Sequence, residues 1–178
     1  MNFHTTDNNC GVPSGKIFRG GSKVMKQYNF YGWQEADCKP ADSTYKKIEN
    51  PRHLYDLLSE IWCADTCAPR MRGKWSRENR TLGQCSITAF LAQDIFGGKV
   101  YGIPREGGNF HCYNAVPRPE GGECIFDLTS EQFGAEKLCY ENNPEQFWEV
   151  IFAKEEKRLR YEYLKAEVLK KMEGNVAL

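Results

Sequence analysis

Cys85, His111 and Asp127 are the residues of this sequence whose types and spacing fit nucleophilic chemistry. A thiol attacks a carbonyl as its thiolate, and the reaction also needs a base for the proton and donors for the developing oxyanion. Cys85 opens a largely apolar run to Phe96, directly after Gly83-Gln84. A helix starting there aims its free N–H groups and positive dipole end at the sulfur, which favours the thiolate. Gly83 lets the chain turn tightly into that helix, and the Cys85 N–H and the Gln84 amide are the expected oxyanion donors. A histidine beside the thiol takes its proton. A carboxylate beside the imidazole fixes its tautomer and favours the imidazolium.

His111 and Asp127 fall in two strand-like runs, 109–116 and 123–128, joined by Pro-Arg-Pro-Glu-Gly-Gly. Opposed residues of an antiparallel hairpin share a constant index sum, and a turn centred near Pro119 sets it near 238. His111 and Asp127 meet that sum, so they are expected to face each other on one side of the sheet. Each residue alone has a plainer explanation. A cysteine on an apolar helix is most often a small core residue. A strand histidine is often a satisfied, half-buried group, and an Asp before Leu-Thr-Ser-Glu can cap a turn. Their agreement in one geometry is what favours a site. Asn114 points to the opposite face of its strand, where a bond to neighbouring backbone is expected. Trp75 and Asn79 precede Cys85 and either line a cleft or pack the loop.

The elements that must position these residues follow from patterning. Pro51 suits a first helical position, and Leu54, Leu57, Leu58, Ile61 and Trp62 recur at helical spacing, so 51–63 is expected to be a helix. Residues 64–84 read as a long loop. Gly97-Gly98 ends the Cys85 helix, and 99–104 is a further strand. A long charged helix is expected over 145–173, with Phe147, Ile151, Tyr161, Leu164, Val168 and Met172 as its apolar stripe. Glu156/Arg160 and Glu167/Lys171 are its i,i+4 pairs. Residues 1–45 read as an irregular extension, although Phe30-Tyr31 and Trp33 hint that part of it docks on the 46–178 domain.

The 178 residues carry 24 basic and 24 acidic side chains. A balanced total gives no electrostatic footprint for nucleic acid or an anionic membrane, and Arg70, Arg72, Lys74, Arg77 and Arg80 read as a solvated loop. No signal peptide and no apolar run of about 20 residues is visible, so a cytoplasmic location is expected. The eight cysteines are then read as thiols rather than disulfides. Cys63-x3-Cys67 could ligate zinc only with Cys10 and Cys38. Cys112 and Cys124 are expected on the apolar face, Cys139 has no partner pattern, and His4 and His53 show no ligand spacing.

Gly83-Gln84-Cys85-Ser-Ile-Thr-Ala, Asp94-Ile-Phe-Gly97-Gly98, His111-Cys-Tyr-Asn114, Asp127-Leu-Thr129-Ser-Glu-Gln132-Phe133 and Arg160-Tyr161-Glu-Tyr-Leu164 together resemble the YunG family of bacterial proteins. The resemblance spans roughly residues 46–172. It implies an α+β fold of papain-like or transglutaminase-like type, with a cysteine-bearing helix packed on an antiparallel sheet. The resemblance implies no substrate or activity; the Cys85, His111, Asp127 and Gln84 pattern itself carries the expectation of a cysteine hydrolase or acyltransferase acting on an amide, isopeptide or thioester bond. Its substrate would be a peptide, a modified protein, a cell-wall fragment or a small amide, and no metal or organic cofactor is needed. The alternatives are a non-catalytic binding module on the same fold, or a small zinc- or redox-linked regulatory protein.

Overall fold

The structure is a computed structural model and describes residues 26–174. Its elements run α1 (Pro51–Ile61), α2 (Cys85–Phe96), β1 (Lys99–Arg105), β2 (Asn109–Pro117), β3 (Glu123–Phe126), β4 (Glu145–Gln146), α3 (Trp148–Ile151) and α4 (Glu155–Gly174). The four strands form one antiparallel sheet in the order β3-β2-β1-β4. The architecture is therefore α+β. Among the described residues no helix is long and apolar enough to cross a membrane.

α1 begins as its sequence requires. The Asn50 side chain accepts from the His53 N–H, and Pro51 occupies a first-turn position that needs no N–H. Leu54, Leu57, Leu58 and Ile61 are buried along one stripe, and Trp62 follows them into the core. α2 is buried along most of its length and packs on β2, while α4 covers α2 and α1. Leu54, Leu58, Phe90, Leu91, Ile95, Phe126 and Leu164 meet at the centre. Burying each such side chain contributes about 1.5–3 kcal/mol, so the helix that starts at Cys85 is held on a fixed bed.

The extension is not loose where it is described. Residues 26–45 lack an α-helix, but Phe30, Ala36 and Tyr45 are buried in the core. Tyr31 makes an isolated antiparallel bridge with Asp127. Residues 1–25, with His4 and Cys10, lie outside the described residues.

Three expectations are corrected. The single helix over 145–173 is interrupted, because Glu145–Gln146 pairs with Tyr101 and Val100 of β1 as an edge strand. The chain then turns through α3 and a break after Phe152, whose ring is buried against Phe90, Trp148 and Tyr161. Phe147 is consequently exposed and outside the stripe, whereas Tyr161, Leu164, Val168 and Met172 are buried as expected. Arg160 does pair with Glu156, but Lys171 reaches Glu60 of α1 at 2.6 Å instead of Glu167. The β2–β3 register is also shifted. Asn114 faces Phe126 and Pro117 faces Glu123, an index sum of 240. Tyr113, not His111, continues that register opposite Asp127.

Candidate active site

The turn into α2 depends on Gly83. Its φ is +68°, and a Cβ there would lie 2.8 Å from the Cys67 sulfur and 3.0 Å from the Ala68 nitrogen. Only glycine takes both the conformation and the close approach without strain. The Ala68 N–H donates to the Gly83 carbonyl, so the 68–83 loop closes immediately ahead of the cysteine. Within it the Trp75 indole N–H donates to the Arg80 carbonyl, which gives Trp75 a loop-packing role. Arg80 and Arg72 likewise donate to the Ser59 and Asp65 carbonyls.

Cys85 is the first residue of α2, with Gln84 at the N-cap and no side chain capping the helix. Its N-terminal N–H groups are therefore left facing the sulfur's end of the helix. The sulfur is half-buried and lies 3.9 Å from the Phe110 carbonyl oxygen. β3 pairs only with residues from Asn114 to Pro117 of β2. The stretch from Phe110 to Cys112 thus offers an edge that β3 does not cover, and the sulfur sits against it. The His111 ring and the thiol and backbone N–H of Cys112 are the groups near enough to act on its charge.

His111 and Asp127 are both 1% exposed, and His111 Nε2 lies 2.5 Å from Asp127 Oδ2. They are diagonal rather than directly opposed. The corrected index sum differs by two, which preserves the face, and diagonal partners remain within reach of an imidazole. With Nε2 held by Asp127, Nδ1 has no hydrogen-bond partner among the described residues and is the nitrogen left for the thiol.

Asp127 is saturated with donors. Oδ2 also accepts from the Tyr140 hydroxyl at 2.9 Å. Oδ1 accepts from the Thr129 N–H at 3.0 Å and its hydroxyl at 3.2 Å. The Asp127 N–H donates to the Tyr31 carbonyl. Four donors around one buried carboxylate fix its position and leave neither oxygen unpartnered.

Charge follows from this arrangement. The neighbouring Cys112 thiol, then the nearby His111 ring and its charge, draw the Cys85 thiol well below the usual thiol range despite its burial. Burial would lower the His111 pKa, but the charge and hydrogen bond of Asp127, joined by Cys85, outweigh it and raise the imidazole to about 10. Both shifts run in the direction that favours a thiolate–imidazolium pair. The Cys112 thiol is pushed well above its ordinary value, first by its contact with Cys85 and then by burial.

Gln84 is fully buried, and its Nε2 donates to the Cys63 carbonyl at 3.1 Å. One of its two amide hydrogens is thus committed away from the sulfur, and Oε1 has no partner among the described residues. Asn114 donates to the Ala89 carbonyl of α2 at 2.8 Å, as the opposite face of the strand implied. Cys38 lies beside Cys124, away from Cys63 and Cys67. No group of three potential ligands able to hold a metal occurs among the described residues.

Five contributors went unassigned in the sequence. Gln132 accepts from the Gly83 N–H and donates to the Thr129 carbonyl, tying the carboxylate's turn to the cysteine's turn. Phe133 packs edge-on against His111 with ring centres 4.6 Å apart. Tyr140 and Tyr31 brace Asp127 and stack on each other at 3.7 Å. Cys112 stands near enough to Cys85 to be the first cause acting on its thiol. The Asp-x-Thr spacing at Asp127 and Thr129 is a local signal for a side chain bonding backbone two residues on. Tyr140 carries no such signal.

The Asp127–Phe133 segment that marked the resemblance thus has a physical role at Asp127, Thr129, Gln132 and Phe133. The profile of the YunG protein family matches residues 50–173. "Uncharacterized protein YunG" of Bacillus subtilis (strain 168) is 32% identical over 83 residues, which is 47% of this chain and 63% of that relative's length. No solved structure matches the chain. Because the family profile spans more than half of its length, the chain belongs to the YunG family.

Proposed function

We propose that this protein is a cysteine hydrolase or acyltransferase acting on an amide, isopeptide or thioester carbonyl, with a papain-like or transglutaminase-like arrangement of its residues. The observation that carries the reading is Cys85 at a helix start, against an imidazole whose other nitrogen is 2.5 Å from a buried, donor-saturated carboxylate. In the proposed cycle the Cys85 thiolate attacks the carbonyl carbon. The Cys85 N–H and the uncommitted Gln84 amide hydrogen take the oxyanion. The His111 imidazolium then gives its proton to the leaving group. His111 next accepts a proton from water or an acceptor amine, which attacks the thioester and frees Cys85. Asp127 keeps the ring oriented and its charge balanced. Hydrolysis and transfer share this acyl-enzyme and differ only in the second nucleophile.

The test is the pH dependence of Cys85 alkylation, read by peptide mass spectrometry in wild type and His111→Ala, alongside trapping of an acyl adduct from an activated ester. Wild type is expected to alkylate at Cys85 below about pH 7, well under the ~8.5 of a free thiol. His111→Ala is expected to lose about a hundredfold of that rate at about pH 6 and to form no adduct. Ordinary thiol behaviour of Cys85 in both proteins overturns the proposal.

A further inference from the structure

We propose that Cys85 and Cys112 are a hydroperoxide-reactive dithiol in which Cys85 is oxidised first and Cys112 resolves it as an intramolecular disulfide. The inference rests on the thiolate reading of Cys85 and adds a second chemistry to the same sulfur. Its basis is placement. The Cys85 sulfur sits on the β2 edge left open where β3 ends, 3.9 Å from the Phe110 carbonyl. Two residues further along that edge, on the same face of the strand, stands Cys112, whose thiol is close enough to be the first cause acting on the Cys85 thiol, as Cys85 is on it. The two differ in access. Cys85 is half-buried, whereas Cys112 is 2% exposed and belongs to the hydrophobic core. A peroxide therefore meets Cys85, and Cys112 reacts only with what Cys85 becomes. A low-pKa, reachable thiol beside a resolving thiol is the pattern of a reversible redox site.

The steps balance without further reagents. The Cys85 thiolate attacks the distal oxygen of a hydroperoxide, so an S–O bond forms and the O–O bond breaks. The departing alkoxide or hydroxide takes the His111 proton and leaves as alcohol or water. The Cys112 sulfur then attacks the Cys85 sulfenic acid. An S–S bond forms, the S–O bond breaks, and the hydroxyl leaves as water with the Cys112 proton. Two thiols lose two electrons in all, and the peroxide gains them. Contact with the Cys85 thiolate is the largest cause holding the Cys112 thiol protonated. That cause disappears once Cys85 is a neutral sulfenic acid, so the second step is released by the first. Formation of the disulfide consumes the proposed nucleophile, and an external thiol restores it.

The experiment treats the full reduced chain with hydrogen peroxide at about pH 7, blocks free thiols, and maps peptides without reduction. The expected product joins the Cys85 and Cys112 peptides with loss of two hydrogens. Cys85 alkylation is lost in parallel, and dithiothreitol restores both. In Cys112→Ser the Cys85 sulfenic acid is expected to persist, to be captured by dimedone, and to pass on to sulfinic acid. If Cys85 alkylates below about pH 7 but peroxide gives no 85–112 cross-link, Cys112 is not a resolving residue and the proposed function stands. A cross-link confined to Cys38 and Cys124 has the same meaning. If Cys85 has ordinary thiol reactivity, both proposals fall. The wild-type map decides the matter even if the Cys112 variant does not fold.

Discussion

Among the described residues, two pairs of neighbouring thiols make different use of similar physics. Cys38 and Cys124 join the N-terminal segment to β3, as Cys85 and Cys112 join α2 to β2. Cys124 is lowered to about 7 by the hydrogen bond from Cys38 and then by the charge of Arg118, against its burial. Cys38 is raised in compensation, first by that same contact. Cys124, however, is 1% exposed, and its sulfur lies 3.3 Å from the Glu35 carbonyl. Its nearest cation is Arg118, which is fixed on Asp37 and Glu35 and cannot exchange a proton. Cys85 has access, a titratable partner, and a carboxylate behind that partner. A depressed thiol is not a nucleophile until its proton has somewhere to go.

The largest effect that sharpens this contrast comes from removing the carboxylate's charge. Every group on the two Asp127 oxygens is a donor, so an asparagine NH2 must face either Thr129 or the His111–Tyr140 pair. Asp127→Asn is expected to slow acyl-adduct formation by at least about a hundredfold. The pH dependence follows in sign. In wild type His111 is raised to about 10 from an unfolded value of about 6.5. Its charged form stabilises the fold fully below about 6.5, and that contribution is lost as pH rises through about 10. Cys85 has the opposite sign, because its lowered pKa contributes stability at alkaline pH that is lost as pH falls through the folded value. The ion pair therefore exists between those two limits. In Asp127→Asn, burial opposes the His111 charge with less compensation, and the alkaline limit must move down. NMR titration of His111 checks this, and an unmoved limit would mean that Asp127 only packs.

What was legible in the sequence is what local chemistry decides. Gly83-Gln84-Cys85 announced its turn and helix because a glycine at positive φ and an apolar run are local statements. The face shared by His111 and Asp127 survived an error in the turn, since moving the turn's centre by one residue changes the index sum by two and retains parity. Contacts made by irregular chain were not legible. Tyr31 and Tyr140 reach Asp127 from segments without periodicity. Cys112 looked like a core cysteine and is one by burial. Its proximity to Cys85 follows from how α2 lies on β2, which composition does not announce. The break near Phe152 was hidden for a related reason. Residues 145–146 have helical neighbours but satisfy the open edge of β1.

A smaller effect separates orientation from charge within the reactive corner. Tyr140 donates to Asp127 Oδ2 while its ring stacks on Tyr31. Tyr140→Phe keeps the ring and deletes one of four donors. A hydrogen bond to a charged group contributes about 1.5–3 kcal/mol, and three donors remain, so a loss of about tenfold or less in adduct formation is expected. The carboxylate keeps its charge and has one competitor fewer, so the His111 alkaline limit should not fall. A downward shift like that of Asp127→Asn would show that the hydroxyl sets charge rather than position.

The smallest expected effect is the one that most directly tests whether the two thiol pairs are independent. Cys124 packs in the core near Glu35 and Arg118, and none of its contacts belongs to Cys85, His111 or Asp127. Cys124→Ala removes a buried sulfur from the seam between β3 and the 35–38 segment, which should cost on the order of 1 kcal/mol of stability. Thermal unfolding reads that loss. The same variant should leave Cys85 alkylation at about pH 6 within about twofold of wild type, since distant sites without shared partners act additively. β3 nevertheless leads straight into Asp127, so a looser seam has one route to the site. A tenfold drop at Cys85 would mean that the buried pair holds Asp127 in register, and the contrast between a structural and a reactive pair would give way to a single coupled unit.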